Sequence, residues 1–349
     1  MHLLKASLVL LCICGLCISC WDRTKSHRCT FSETPIALDE FNSVYDDYNS
    51  TLPVAGETTP LLFSTNRTSA GQNFDFLCKY LSITFDYRKD KLHVAEFTFY
   101  QSDFFYRHLN LISATAKVNS FADQLGPYLI PGKYIEAKKY NDSYQSYIFL
   151  YSSNEEGNQD IRFTHNFYTK EYTLPKTISF LNSAQNDAYP FITQDSSSLY
   201  FCSDREGNFD IYSVNLNTNK GIVAELESST PRPISKESIL SSESDDKCPF
   251  ISGHVMIFTS NRPGGFGGYD LYYSIFENGT WSAPVNFGPR INSSSDEYRP
   301  VLKSIDSRDF TDVFTNDFMI FSSNRPGGKG GFDLYYVGVP KLNEGSVSF

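Results

Sequence analysis

Methionine and tryptophan are scarce in this chain, at 3 and 2 of 349 residues, and the 30 Lys and Arg are outnumbered by 40 Asp and Glu. The formal charge of -10 repels phosphate backbones and anionic lipid heads, which excludes nucleic acid as a partner and simple electrostatic docking to a membrane surface. Long apolar runs are missing too: the stretch from Leu8 to Ile18 is about half of the roughly 20 residues a helix needs to span a bilayer. Short catalytic motifs are absent. There is no Gly-x-Ser-x-Gly elbow, no His-Glu-x-x-His zinc helix and no dinucleotide fingerprint. The Gly-Gly-x-Gly-Gly loops ending at Gly267-Gly268 and Gly330-Gly331 lack the Lys-Ser/Thr pair of a phosphate cradle and run into strands. The 6 His residues share no regular spacing. No catalytic residue, metal site or cofactor is expected on these grounds.

What the chain has in abundance is aromatic side chain, 23 Tyr and 29 Phe, within a hydrophobic fraction of 40%. That is ample for one large core or two modest ones, and the bias favours strands over helices. Lys5 followed by the Leu8 to Ile18 run reads as a secretion signal over residues 1–19. Its end, Cys17-Ile18-Ser19-Cys20, resembles the bacterial lipobox, with Cys17 where Leu is usual. The resemblance implies acylation of Cys20, with residues 20–33 as a linker after the anchor. Four of the 8 cysteines, Cys12, Cys14, Cys17 and Cys20, lie in the signal or at its lipobox end. Cys29, Cys78, Cys202 and Cys248 are too far apart in sequence for a zinc knuckle. An exported chain admits one or two disulfides among them, or buried thiols.

Internal repetition carries the architecture. Residues 256–273, MIFTSNRPGGFGGYDLYY, are nearly identical to residues 319–336, MIFSSNRPGGKGGFDLYY, and weaker copies begin at Leu199, Tyr147 and Leu61. Each reads as a β-hairpin: an apolar strand, a turn rich in Asn, Gly or Pro, and a second strand opening at Asp75, Asp160, Asp210, Asp270 or Asp333. The turns start at Asn66, Asn154, Asp204, Asn261 and Asn324, at intervals of 88, 50, 57 and 63 residues. The first interval is about twice the roughly 40 to 45 residues of a four-stranded blade, which predicts a degenerate sixth unit near residues 93–112. A second repeat, Asn-x-x-x-Asp-x-x-x-Pro, precedes the later hairpins at Asn119, Asn182, Ser241 and Asn292, as expected of links between blades. Residues 34–38 look like an outer strand with no inner strands before them, so they are expected to complete the last blade and close the ring.

The string Ser-Asn-Arg-Pro-Gly-Gly-x-Gly-Gly-aromatic-Asp-Leu-Tyr resembles the WD40-like repeat of TolB and its relatives in Gram-negative envelopes. The resemblance implies an all-β, six-bladed propeller over residues 34–349, with blades of four antiparallel strands. It also implies an exported outer-membrane lipoprotein, periplasmic or surface-exposed. The expected function is non-catalytic scaffolding, with an envelope protein or a glycan as partner; the alternative is a propeller-fold glycosidase or lyase acting on envelope or extracellular polysaccharide.

The Asp that recurs once per hairpin, with Arg67, Arg205, Arg262 and Arg325 on the same turns, reads as a folding device. Turn carboxylates accept backbone N–H bonds and pair with nearby Arg, whereas a ligand site breaks symmetry. The link Asn and Asp read as pins between blades. The candidate binding residues are those outside the repeat, in the Tyr- and Lys-rich segment 128–143: Tyr128, Tyr134, Lys138, Lys139 and Tyr140.

Overall fold

The structure, a computed structural model, describes residues 28–53, 58–86, 89, 91–98, 108–137, 142–304 and 313–342. The signal segment and Cys20 lie outside the described residues. The chain forms an all-β propeller of antiparallel four-stranded blades. From the channel outward, blade 1 is Asp47–Thr51, Thr58–Thr65, Asp75–Asp86 and Lys91–Glu96, and blade 2 is Gln124–Ile135, Tyr144–Ser153, Asp160–His165 and Lys176–Thr177. Blade 3 is Asp187–Ile192, Ser198–Ser203, Asp210–Asn215 and Ser235–Lys236. Blade 4 is Asp246–Ser252, Val255–Ser260, Asp270–Glu277 and Val285–Asn286, with Thr280–Trp281 folded back on its third strand. Blade 5 takes Glu297–Lys303, Asp317–Ser323 and Asp333–Val339 from the C-terminal part and Ile36–Ala37 from the N-terminal part. Ile36 pairs with Tyr336 and Ala37 with Tyr335, so the outer strand expected to close the ring does so.

Among the described residues the blades number five, which corrects the expected six. The innermost strands of blades 1 to 5 touch in cyclic order, and blade 5 returns to blade 1. The long first interval is one enlarged blade plus a helix. The third strand of blade 1 runs for 12 residues, Asp75–Asp86, and Lys91–Glu96 pairs with its far end. Within the span read as a degenerate blade lies the start of an α-helix, Asn110–Val118. Leu111, Ala114 and Val118 recur at helical spacing and are buried in one cluster with Leu62, Phe76 and Phe149 from blades 1 and 2. That short period was legible, but the aromatic composition around it favoured strands.

Second strands such as Leu61-Leu62-Phe63 and Val255–Ser260 are buried on both faces, because each blade is covered by its neighbours. Blades meet through the links. The link side chains Asn42, Asn119, Asn182 and Asn292 each bond both the N–H and the C=O of one residue on the preceding blade's third strand, Leu334, Phe76, Ile161 and Leu271 respectively. Ser241 keeps only the acceptor half, from the N–H of Ile211. The pinning role expected of these residues holds.

The glycines after the turn of blades 4 and 5 are set by the same junctions. A Cβ on Gly267 would strike the Ser295 carbonyl oxygen, and one on Gly330 that of Tyr45, each in the next blade's link.

Candidate functional site

The mouth of the channel is the face where links and hairpin turns meet. Beneath it, each innermost strand opens with a buried polar residue: Asp47, Gln124, Asp187, Asp246 and Glu297. The Arg residues of the turns reach these acids, Arg67 to Asp47, Arg205 to Asp187 and Arg262 to Asp246 at 2.5 Å and Arg325 to Glu297 at 2.9 Å. The expected pairing of Arg with the Asp of its own turn is therefore corrected. Those turn carboxylates instead take local partners: Asp270 accepts the N–H of Phe266 and Gly267, and Asp333 that of Lys329 and Gly330. The signal for the true partners was the second acid in Asp46-Asp47, Asp245-Asp246 and Asp296-Glu297.

Blade 2 departs from this latch at both positions at once. Gln124 replaces the acid and bonds Ser120 Oγ and the Ala122 carbonyl, while Glu155 stands where the other turns carry Arg and pairs with Arg162. Gln124→Asp alone is expected to cost about 3 kcal/mol, because it buries a carboxylate with no cation. Adding Glu155→Arg is expected to restore most of it. Urea midpoints of the wild type, both singles and the double give the coupling; additive midpoints would remove the latch from blade 2.

Above the latch lies an aromatic collar. The residue before each turn Asp is Phe74, Gln159, Phe209, Tyr269 or Phe332, and its N–H donates to the next link's Asp123, Asn186, Asp245, Asp296 or Asp46. Tyr48 sits 4.9 Å from Phe74 and 5.5 Å from Phe332 between ring centres, and Tyr298 lies 5.4 Å from Tyr269. Val44 and Phe121, in the links of blades 1 and 2, are 76% exposed on the same rim.

At the collar, blade 4 breaks the pattern with an ionisable side chain. Lys247 lies where the other innermost strands carry Tyr48, Leu125, Ala188 and Tyr298. Its Nζ is 2.9 Å from Asp245 Oδ2 and donates to the Tyr269 hydroxyl at 3.1 Å, and that hydroxyl donates to Asp245 Oδ2 at 2.6 Å. The ammonium also lies 4.2 Å from the centre of the Phe209 ring. Burial pulls the Lys247 ammonium down, but its bonds to Asp245 and Tyr269 outweigh this and hold it above the usual lysine range. Burial lifts the Asp245 carboxyl, but the bonds from Tyr269 and Lys247 bring it below its usual range. The Tyr269 phenol is raised by burial and by its bond to Asp245. At neutral pH the set is an ammonium, a carboxylate and a protonated phenol.

Below the mouth each innermost strand has a bulge whose residue takes positive φ: Asn49, Gly126, Tyr189, Cys248 and Arg299. Arg299 reaches across the channel to the Pro127 carbonyl at 3.0 Å. Tyr128 lies deeper, its hydroxyl donating to the Ile192 carbonyl at 2.8 Å and its ring 4.8 Å from Phe191. At the end of the blade 5 strand, burial lowers the Lys303 ammonium to about 8. The segment read as lying outside the repeat thus begins, from Tyr128 to Ile135, within the long innermost strand of blade 2. Tyr134 ends up half-exposed near the end of that strand, away from Tyr128, and Lys138, Lys139 and Tyr140 lie outside the described residues. No three His, Cys, Asp or Glu among the described residues gather as a metal-binding group, and Cys29, Cys78, Cys202 and Cys248 form no disulfide.

No family model matches the chain, and no curated protein matches it in sequence. Its fold does have counterparts among solved structures. An endo-arabinase from Bacteroides thetaiotaomicron aligns at a TM-score of 0.50 and 11% identity, covering 91% of this chain and 99% of that one. BT0996, solved as an RGII complex, gives 0.52 at 8% identity, covering 95% and 97%. At such identities the likeness is one of fold. It overturns the expected TolB-like membership, which rested on the Ser-Asn-Arg-Pro-Gly-Gly repeat: the ring has five blades, not six, and a solved structure with this fold is an endo-arabinase. The expectation of a non-catalytic scaffold is corrected as well: a solved structure with this fold over 91% of the chain is an endo-arabinase, so the propeller is no ground for excluding catalysis.

Proposed function

We infer that this exported protein cleaves a polysaccharide across the mouth of its channel, as a lyase acting on uronate-containing glycan outside the cytoplasm. The observation that carries the reading is the Lys247–Asp245–Tyr269 set, one ionisable cluster inside an aromatic collar that is otherwise repeated. Aromatic faces suit the apolar faces of sugar rings, and the exposed Phe121 and Val44 extend that surface. Hydrolysis calls for two carboxylates flanking the glycosidic bond, about 5 to 9.5 Å apart. At this mouth the carboxylates of Asp46, Asp123 and Asp296 are turned to backbone amides and Asn side chains, which favours elimination instead. In that reaction Lys247 neutralises the uronate carboxylate. The Tyr269 hydroxyl gives a proton to the leaving O4 and recovers one from C5, so the C4–O4 and C5–H bonds break and a C4–C5 double bond forms without water. Asp245 holds both side chains in place.

The test is the full chain incubated with polygalacturonate, alginate and neutral arabinan. Reducing ends and the ultraviolet absorbance of the unsaturated product are followed together. A uronate polymer is expected to yield both, with Lys247→Met and Tyr269→Phe losing both while each still unfolds in one cooperative transition. Cleavage of none, or cleavage unaffected by the two substitutions, sinks the reading.

A further inference from the structure

Among the described residues Arg299 is the largest fully buried side chain, at 0% exposure. A guanidinium keeps its charge at any ordinary pH, and an isolated buried charge is unfavourable by many kcal/mol unless it meets an opposite charge. Here it meets none. Its Nη2 donates to the Pro127 carbonyl at 3.0 Å and its Cζ lies 5.8 Å from the centre of the Tyr189 ring, while Nε and Nη1 have no acceptor. The four acids that open the innermost strands are committed to Arg67, Arg205, Arg262 and Arg325. The groups that face Arg299 are Tyr128, Tyr189, Cys202 and Cys248. Burial raises every one of them, so all are neutral at physiological pH.

On the next blade round, Asn49 occupies the same bulge position as Arg299. Its side-chain amide is buried with no well-aligned hydrogen bond, only the Tyr48 hydroxyl beside it, and Oγ of the following Ser50 is buried without a partner. Tyr48, Tyr189 and Tyr298 fill the channel on the mouth side, with Tyr189 6.0 Å from Tyr298. Tyr128, Phe191 and Phe250 fill the far side at ring spacings of 4.8 and 5.1 Å. A side chain at Gly126 would collide with Tyr189.

We propose that the centre of the channel binds a small monovalent anion of halide size, held by Nε or Nη1 of Arg299 together with the Asn49 amide and the Ser50 hydroxyl. The ion supplies the missing negative charge and ties blade 5 to blade 1 and, through Arg299, to blade 2. It is independent of the chemistry at the mouth.

Two measurements test this. Thermal unfolding of the full chain is followed as chloride replaces gluconate, a far larger anion, at constant ionic strength. A saturable rise of a few degrees is expected for the wild type, with no response in Arg299→Met. Crystals grown in bromide are expected to show an anomalous peak beside the guanidinium. Equal melting in chloride and gluconate together with no bromide peak would mean that water alone solvates Arg299, and would overturn the proposal. Should Arg299→Met fail to fold, the wild-type titration and the bromide peak still decide.

Discussion

Replacing Arg325 with methionine is expected to remove about 3–5 kcal/mol of stability at neutral pH, the usual consequence of stranding a buried charge. That is a large share of the roughly 5–15 kcal/mol that holds a domain together. The guanidinium bonds Glu297, the Ile291 carbonyl at 2.7 Å and Ser323 Oγ at 3.1 Å, and lies 5.2 Å from the Phe321 ring centre and 5.1 Å from that of Tyr335. Methionine keeps much of the aromatic contact and none of the charge. The loss is expected to shrink on acidification. Burial already holds the Glu297 carboxyl above its ordinary value, against the opposing pull of Ser293 and Arg325. A carboxyl raised in the folded state binds its proton more tightly there than in the unfolded chain. Its stabilising contribution is therefore greatest below the ordinary value and falls as pH rises through the raised one. Removing Arg325 removes a downward pull and extends that window upward. The difference between wild type and variant, read from urea melts at each pH, should narrow from neutrality toward about pH 5. A difference that stays constant or widens would mean that Arg325 does not hold Glu297 as an ion pair.

This latch shows where the sequence could be read and where it could not. The hairpins were visible because each lies within a single short segment, with its turn chemistry and both strands in order. The links were visible for the same reason, including the exchange at blade 3, where Asn186 faces Asp204 and the amide–carboxylate pair is kept with its members swapped. Pairing between Arg and the first acid of the innermost strand was not visible, because the nearer Asp on the same turn offered an equally good charge. Counting blades by residue interval failed at blade 1. A hairpin arm can lengthen and a helix can be inserted without adding a sheet, and composition alone does not distinguish these from a worn repeat.

The channel was the least legible part, for a physical reason. At its centre lies one bulge position on each of five strands, and the residues there, Asn49, Gly126, Tyr189, Cys248 and Arg299, have nothing in common as side chains. Repetition reveals what every blade needs in order to fold. What only one blade supplies, Lys247 at the mouth or Arg299 at the centre, appears in sequence as a defect of the repeat. The partner of Arg299 is 172 residues away, a distance that only ring closure makes short.

Ring closure itself supplies the other large effect. A chain begun after Leu38 is expected to lose cooperative folding, whereas one begun at residue 28 keeps it. Phe31 and Leu38 are 1% and 3% exposed, and burying two such side chains is worth roughly 3–6 kcal/mol. Phe31 stacks on Phe314 at 4.7 Å and exchanges two hydrogen bonds of 2.9 Å with Asn316, while the Leu38 N–H donates to Leu334 and that of Gly338 to Ser32. Hydrogen bonds of this kind add about 0.5–1.5 kcal/mol each, which brings the loss to the scale of the whole stability. It would also leave the Asp333–Val339 strand as an open edge, prone to pairing with another chain. The segment joins the fold as an added strand, so a synthetic peptide of residues 28–38 should restore the melt of the shortened chain in trans, saturably with its concentration. An unchanged melt without the peptide would mean that the ring closes on its C-terminal strands alone.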